Sequence, residues 1–137
     1  MPHHILRIRT PGRGFVDLTE RIAALVAERA PAGEGLVHLF LRHTSAALVI
    51  TENADPEVRA DLERLARRWA PDGDPAYAHT LEGPDDMAAH GRAVLLGASL
   101  SIPFARGRLL LGTWQGIFLW EQRTSPHERE IVLTLLG

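Results

Sequence analysis

The chain has 137 residues, a formal charge of −2 from 15 basic and 17 acidic side chains, and no cysteine. That length fits a single domain over residues 1–137, and the near-balanced charge gives no reason to expect nucleic acid or an anionic membrane. Without thiols there are no disulfides and no thiolate metal ligands, so any metal would rest on imidazole and carboxylate. No apolar run reaches the length of a membrane span and the N-terminus carries no long apolar segment, so a cytoplasmic location is expected.

Taken in order, Ile5 to Thr10 alternates as a half-buried strand, with Leu6 and Ile8 opposite Arg7 and Arg9, and Pro11-Gly12 ends it. Asp17 and Glu20 have the spacing of a capping box, followed by Leu18, Ile22, Leu25 and Val26 at helical intervals up to Pro31. Leu36 to Arg42 is a second strand in which His38 faces away from Val37, Leu39 and Leu41. His43-Thr44-Ser45 then interrupts the apolar pattern before Ala46 to Thr51 resumes it, which predicts a bend or bulge. Asp55-Pro56-Glu57 combines an N-cap, a proline at the first helical position and an early carboxylate. The predicted buried stripe of that helix is Val58, Leu62, Leu65 and Trp69, with its arginines in solvent.

From Pro71 to Pro75 the chain is too rich in turn residues for regular structure, and it delivers Tyr77 and His79 on a loop. Pro84-Asp85-Asp86 opens a third helix, with Asp85 as its cap and Met87, Val94 and Leu95 facing inward, and with Asp86 and His90 on one face. Four further strands are expected at Ala98 to Phe104, Arg108 to Gln115, Gly116 to Arg123 and Glu130 to Leu136, joined most economically by hairpins. The sum is an α+β domain: a largely antiparallel sheet or sandwich of about seven strands with three helices.

The ionisable groups concentrate between Tyr77 and His90, around the break at Gly83-Pro84. His43, His79 and His90 each stand beside small or polar residues, and three imidazoles with an open position suit a divalent ion such as zinc, oriented by Glu82 or Asp86. The same histidines alternatively bind phosphate as imidazolium donors or move protons. Gly112-Thr113-Trp114-Gln115-Gly116 is either a close-approach site or a β-bulge packed by Trp114. Arg123 would suit an anionic substrate.

Read together, His43-Thr44-Ser45-Ala46-Ala47-Leu48, Glu52-Asn53-Ala54-Asp55-Pro56, Tyr77-Ala78-His79, Glu82-Gly83-Pro84-Asp85-Asp86-Met87, His90 and Leu111-Gly112-Thr113-Trp114-Gln115-Gly116-Ile117 resemble the YjbQ-like family, whose members are described as secondary thiamine-phosphate synthases. The resemblance implies an α+β homotrimer with its polar cluster near a subunit interface. It also implies an enzyme acting on a small phosphorylated substrate, able to join a pyrimidine diphosphate to a thiazole phosphate. On that pattern His43, His79, His90, Glu82, Asp86 and Arg123 are the expected catalytic residues, with the three histidines as ligands of zinc or magnesium. Thr44, Ser45, Asn53, Thr113, Trp114 and Gln115 are expected to bind substrate. A homotrimer that binds a metal or ligand without catalysis is the competing expectation. The chain departs from the family pattern at Thr51, Ala88, Trp120 and Gln122.

Overall fold

Side-chain alternation sorts the strands into two sheets. The computed structural model describes residues 3–137, so the first two residues of the expected domain lie outside it. Among the described residues the order is β1 (His3–Thr10), β2 (Gly14–Asp17), α1 (Thr19–Arg29), β3 (Glu34–Leu41), β4 (Ala46–Glu52), α2 (Pro56–Trp69), α3 (Asp86–Leu96), β5 (Ser99–Ala105), β6 (Arg108–Leu109), β7 (Gln115–Glu121) and β8 (His127–Leu136). One sheet has the order β1-β8-β3-β5-β6 and the other β2-β7-β4, every pairing antiparallel. The expected α+β sandwich is therefore present.

Leu6, Ile8, Val37, Leu39, Leu41, Ile131 and Leu133 from the larger sheet meet Ala46, Leu48, Ile117 and Leu119 from the smaller one, with Leu18, Ile22 and Val26 closing the core. The second face of the smaller sheet is covered as well, so β7 is buried from Gly116 to Glu121. There Phe118 and Trp120 pack with Phe15, while Trp120 Nε1 donates to Glu63 of α2 at 2.8 Å. His43-Thr44-Ser45 is the predicted bend, and it carries the chain from β3 in one sheet to β4 in the other.

Several expectations are corrected. Gly14–Asp17 forms a strand that sequence reading passed over, because its register comes from pairing with β7 about a hundred residues away. The capping box is absent: Asp17 Oδ1 accepts from Thr19 N at 2.9 Å, and Leu18 occupies the cap without a side-chain bond. Asp55 caps α2 as expected, accepting from Glu57 N at 2.9 Å. The helix is nonetheless rotated from its predicted phase. Arg59, over the Phe118 ring, and Glu63, bonded to Trp120, face the sheet and Ala66 is buried, whereas Leu65 and Trp69 are exposed. In α3 the inward face is Ala88, Ala89 and Arg92, not Met87, Val94 and Leu95, and Val94 is 87% exposed. A Cβ on Gly91 would meet Ala70 Cβ at 3.6 Å, an ordinary contact, so this glycine is tolerated and not required.

The strand expected from Arg108 to Gln115 ends at Leu109. Gly112 and Gln115 close a turn in which Gln115 N donates to Gly112 O at 3.1 Å and Gly112 N donates to Gln115 Oε1 at 2.8 Å. The β4–β7 register runs without a bulge, and Trp114 is 63% exposed, so it packs no bulge. Gly116 is the close-approach residue of this segment, since a Cβ there would lie 2.8 Å from the Phe118 ring and 3.0 Å from Asn53 Cβ. Arg106 and Gly107, both with positive φ, make the β5–β6 hairpin. β7 and β8 belong to different sheets, so no hairpin joins them.

Candidate functional site

The loop after α2 and the first turns of α3 bring His79, Asp86 and His90 together. The four-residue spacing stacks His90 over Asp86, and the loop folds back to present His79. Both imidazoles point Nε2 at one oxygen, Asp86 Oδ2, at 2.7 Å from His79 and 3.0 Å from His90. The other carboxylate oxygen, Oδ1, takes Arg123 Nη1 at 2.9 Å. Burial pushes the Asp86 carboxyl up, but the His79 hydrogen bond and the neighbouring His90 and Arg123 outweigh it and hold the group below the usual carboxylate range.

Asp85, expected as the helix cap, makes no side-chain cap bond. Its Oδ2 instead accepts from Arg123 Nε at 2.8 Å and from Thr124 N at 2.9 Å. Burial raises its pKa, and these donors more than reverse that, leaving it far below the ordinary value. Arg123 is thereby fixed in place: its Nη2 also donates to the Glu82 carbonyl at 3.0 Å. Glu82 contributes that backbone oxygen, while the residue itself is exposed.

The donor set fits a divalent ion. Ligand atoms of His79, Asp86 and His90 all lie within 4.8 Å of one another. His90 Nδ1 lies 2.9 Å from the Thr44 carbonyl, so a proton there leaves Nε2 as the ligating atom, the second-shell arrangement usual for metal-bound imidazole. Both His90 nitrogens face oxygens, the Thr44 carbonyl and Asp86 Oδ2. Two imidazoles and a carboxylate are the ligands of catalytic zinc sites and suit magnesium poorly.

His43 stands apart from this group. Its Nε2 accepts from Glu130 N at 2.8 Å, and its Nδ1 lies 3.4 Å from Arg129 Nη1. Burial, then the positive charge of Arg129, holds its pKa below the usual histidine value, against smaller opposing effects of Glu130 and Glu121. His43 is therefore not part of the cluster of possible ligands, in which Asp86 stands beside His79 and His90. His43 and His90 still share the lining of a cavity of about 320 Å³ with Thr44, Ala46 and Ala93. His79 lines a second cavity, of about 350 Å³, with Gly73, Pro75 and Tyr77.

The remaining expected residues separate. Ser45 is buried, and its Oγ accepts from Arg129 Nη2 at 2.9 Å. Asn53 Nδ2 reaches the Gln115 carbonyl at 3.3 Å, beside Thr113 and Trp114. That group lies at the Glu52 end of β4, and Ala46 beside the histidines lies at the other, about 20 Å away at ~3.3 Å per residue.

Sequence reasoning missed Arg129, Thr10 and Arg92. Arg129 and Thr10 both bind Glu121, which is wholly buried and whose carboxyl these bonds hold below its usual range despite burial. The signal for Arg129 was present: it alternates in phase with Ile131 and Leu133, which places it on the inner face. Arg92 falls on the α3 face of Ala88 and Ala89. It reaches Glu63 and Gln122 through Nη1, while its Nη2 has no partner among the described residues. Gln122, one of the departures from the family pattern, is therefore a buried structural partner.

A family model described as UPF0047 protein YjbQ-like matches residues 4–137. The UPF0047 protein YjbQ of Salmonella typhimurium is 48% identical over 125 residues, covering 91% of this chain and 90% of that protein. The UPF0047 protein sll1880 of Synechocystis is 45% identical over 133 residues, covering 97% and 90% respectively. The crystal structure of the conserved hypothetical protein TT1486 from Thermus thermophilus superposes with a TM-score of 0.87 at 38% identity, covering 97% of this chain and 99% of that one. For the hypothetical protein APE1520 of Aeropyrum pernix the TM-score is 0.88 at 30% identity, with 100% and 99% covered. The chain belongs to the UPF0047 YjbQ-like family.

Proposed function

We propose that the protein is an enzyme acting on a small phosphorylated substrate at a divalent-metal site formed by His79, Asp86 and His90. The observation that carries this reading is the convergence of two imidazole Nε2 atoms on one oxygen of a buried carboxylate, beside a cavity and an arginine held by ion pairs. An ion bound there would neutralise charge on a departing phosphate. Arg123 adds fixed positive charge at the same carboxylate, and His79, 43% exposed, is within reach of solvent and substrate. The reaction class is the one the family resemblance implies, thiamine-phosphate synthesis from a pyrimidine diphosphate and a thiazole phosphate. The test is formation of thiamine phosphate by purified protein supplied with zinc or magnesium, compared with His90→Ala. Activity abolished by the substitution supports the reading, and equal activity removes His90 from the reaction.

A non-catalytic metal- or ligand-binding homotrimer is favoured by one specific observation. Arg123 is already engaged by Asp85 and Asp86, which leaves it little capacity for a diphosphate. Zinc bound at one ion per chain with no turnover of phosphorylated substrates would support this second reading. Under either reading we take the assembly to be a homotrimer, which would allow Asn53, Thr113, Trp114 and Gln115 of one copy to approach the histidines of another. Sedimentation equilibrium giving three times the 15.1 kDa chain mass is the expected result.

A further inference from the structure

Arg129 is 4% exposed, and all but one of its nitrogens are satisfied. Nε and Nη2 bind Glu121, and Nη2 also donates to Ser45. Among the described residues Nη1 meets only His43 Nδ1, at 3.4 Å. That contact is not a hydrogen bond once the tautomer is considered. The Glu130 amide can only donate, so the 2.8 Å bond to His43 Nε2 requires a lone pair there, and in a neutral imidazole the proton then resides on Nδ1. Nδ1–H and Nη1–H are both donors, and neither has an acceptor among the described residues. An oxygen ~2.9 Å from each nitrogen would close a triangle whose third side is the observed 3.4 Å.

We propose that His43 Nδ1–H and Arg129 Nη1 form a two-donor binding point for one anionic oxygen of a small ligand, whose apolar body occupies the cavity lined by His43, Thr44, Ala46, His90, Ala93 and Val94. A guanidinium and a neutral imidazole N–H select a phosphate or carboxylate oxygen over a neutral carbonyl, because a charge-assisted bond is the stronger one. The alanines and Val94 offer only apolar contact, which suits a hydrocarbon or ring portion of modest size. The depressed pKa of His43 agrees with a ring that stays neutral. As a statement about substrate, the inference rests on the reading of the site as one for small phosphorylated molecules. As a statement about the donor pair, it is tested without any metal.

The experiment uses metal-free, 15N-labelled full chain at neutral pH, long-range 1H–15N spectra of the imidazoles, and titration with inorganic phosphate and, separately, acetate. His43 is expected as the Nδ1–H tautomer, and phosphate is expected to shift its Nδ1 and the Arg129 side-chain signals saturably. His43→Met leaves the Glu130 amide only a weak sulfur acceptor and removes the second donor. Its phosphate affinity is expected to fall at least ~10-fold, as loss of one hydrogen bond to a charged group implies. A saturable response to acetate alone also supports the donor pair, with a carboxylate as its ligand. Three results would overturn the proposal: an Nε2–H tautomer at His43, a phosphate response confined to His79 and His90 or unchanged in His43→Met, or no response to either anion. If His43→Met does not fold, the wild-type tautomer and shifts decide alone. Zinc added afterwards reports on His79 and His90 separately, so failure of the metal reading is distinguishable from failure of the donor pair.

Discussion

Glu121 and Asp86 are both carboxylates removed from solvent and ringed by donors, yet one ring is closed and the other open. Every partner of Glu121 is fixed protein: Thr10, the Arg129 guanidinium and the Arg123 amide. It sits where β7, β1 and β8 meet, ties the two sheets together, and has no capacity left for a ligand. Asp86 shares its Oδ2 between two imidazoles, which under the proposed reading would exchange a proton for a metal ion, and one of them, His79, reaches solvent. Burial alone does not separate structure from function in this molecule. What separates them is whether the donors around the buried charge are replaceable.

Breaking the closed ring should have the largest effect on stability. Arg129→Met leaves the Glu121 charge buried and unpaired, and is expected to lower unfolding free energy by ~3–5 kcal/mol in urea titrations. The open ring should respond in ligand affinity instead. His79→Ala is expected to weaken zinc binding by at least ~100-fold while changing stability by no more than ~1 kcal/mol, because the ring is partly exposed. A destabilisation matching that of Arg129→Met would erase the distinction between the two rings.

How far the sequence carried can be judged from these same residues. Alternation located β1, β3 and β4, and the Asp55-Pro56-Glu57 signal located α2, because both are properties of a few neighbouring residues. The Asp86–His90 pairing was legible for the same reason. The choice of Asp86 over His43 as third member of the cluster was not, since it depends on where the loop between α2 and α3 and an inter-sheet bend come to lie. The phase of α2 was misjudged because its inward line is polar: Glu63 and Arg59 meet Trp120 and Phe118, and hydrophobic periodicity points the other way. Arg129 and Thr10 were overlooked because charged and hydroxyl residues on an inward strand face look like interruptions until their common partner, Glu121, is known.

Acid pH sharpens the comparison. Asp85, Asp86 and Glu121 all have folded-state pKa values below their ordinary ones, so the folded state binds fewer protons than the unfolded state as pH falls. Their stabilisation is full above the ordinary carboxylate range of about 4 and is lost progressively below it. Urea midpoints measured from pH 6 to pH 3 (~3 units spanning that range) should fall steeply in the wild type and less steeply in Asp85→Asn. His43 has the same sign at higher pH. Its depressed pKa makes stability decline as pH drops below about 6.5, and His43→Gln should flatten that small slope. The smallest expected change is Trp114→Ala, within ~0.5 kcal/mol, because the ring is mostly exposed and packs no bulge.

Calorimetric titration of the metal-free chain with zinc, repeated on His79→Ala, His90→Ala and His43→Gln, addresses the open ring most directly. The expected result is one ion per chain in the wild type and in His43→Gln, with binding lost in His79→Ala and His90→Ala. Absence of zinc binding in the wild type, or tight binding that survives both ligand substitutions, would contradict a metal site at His79, Asp86 and His90.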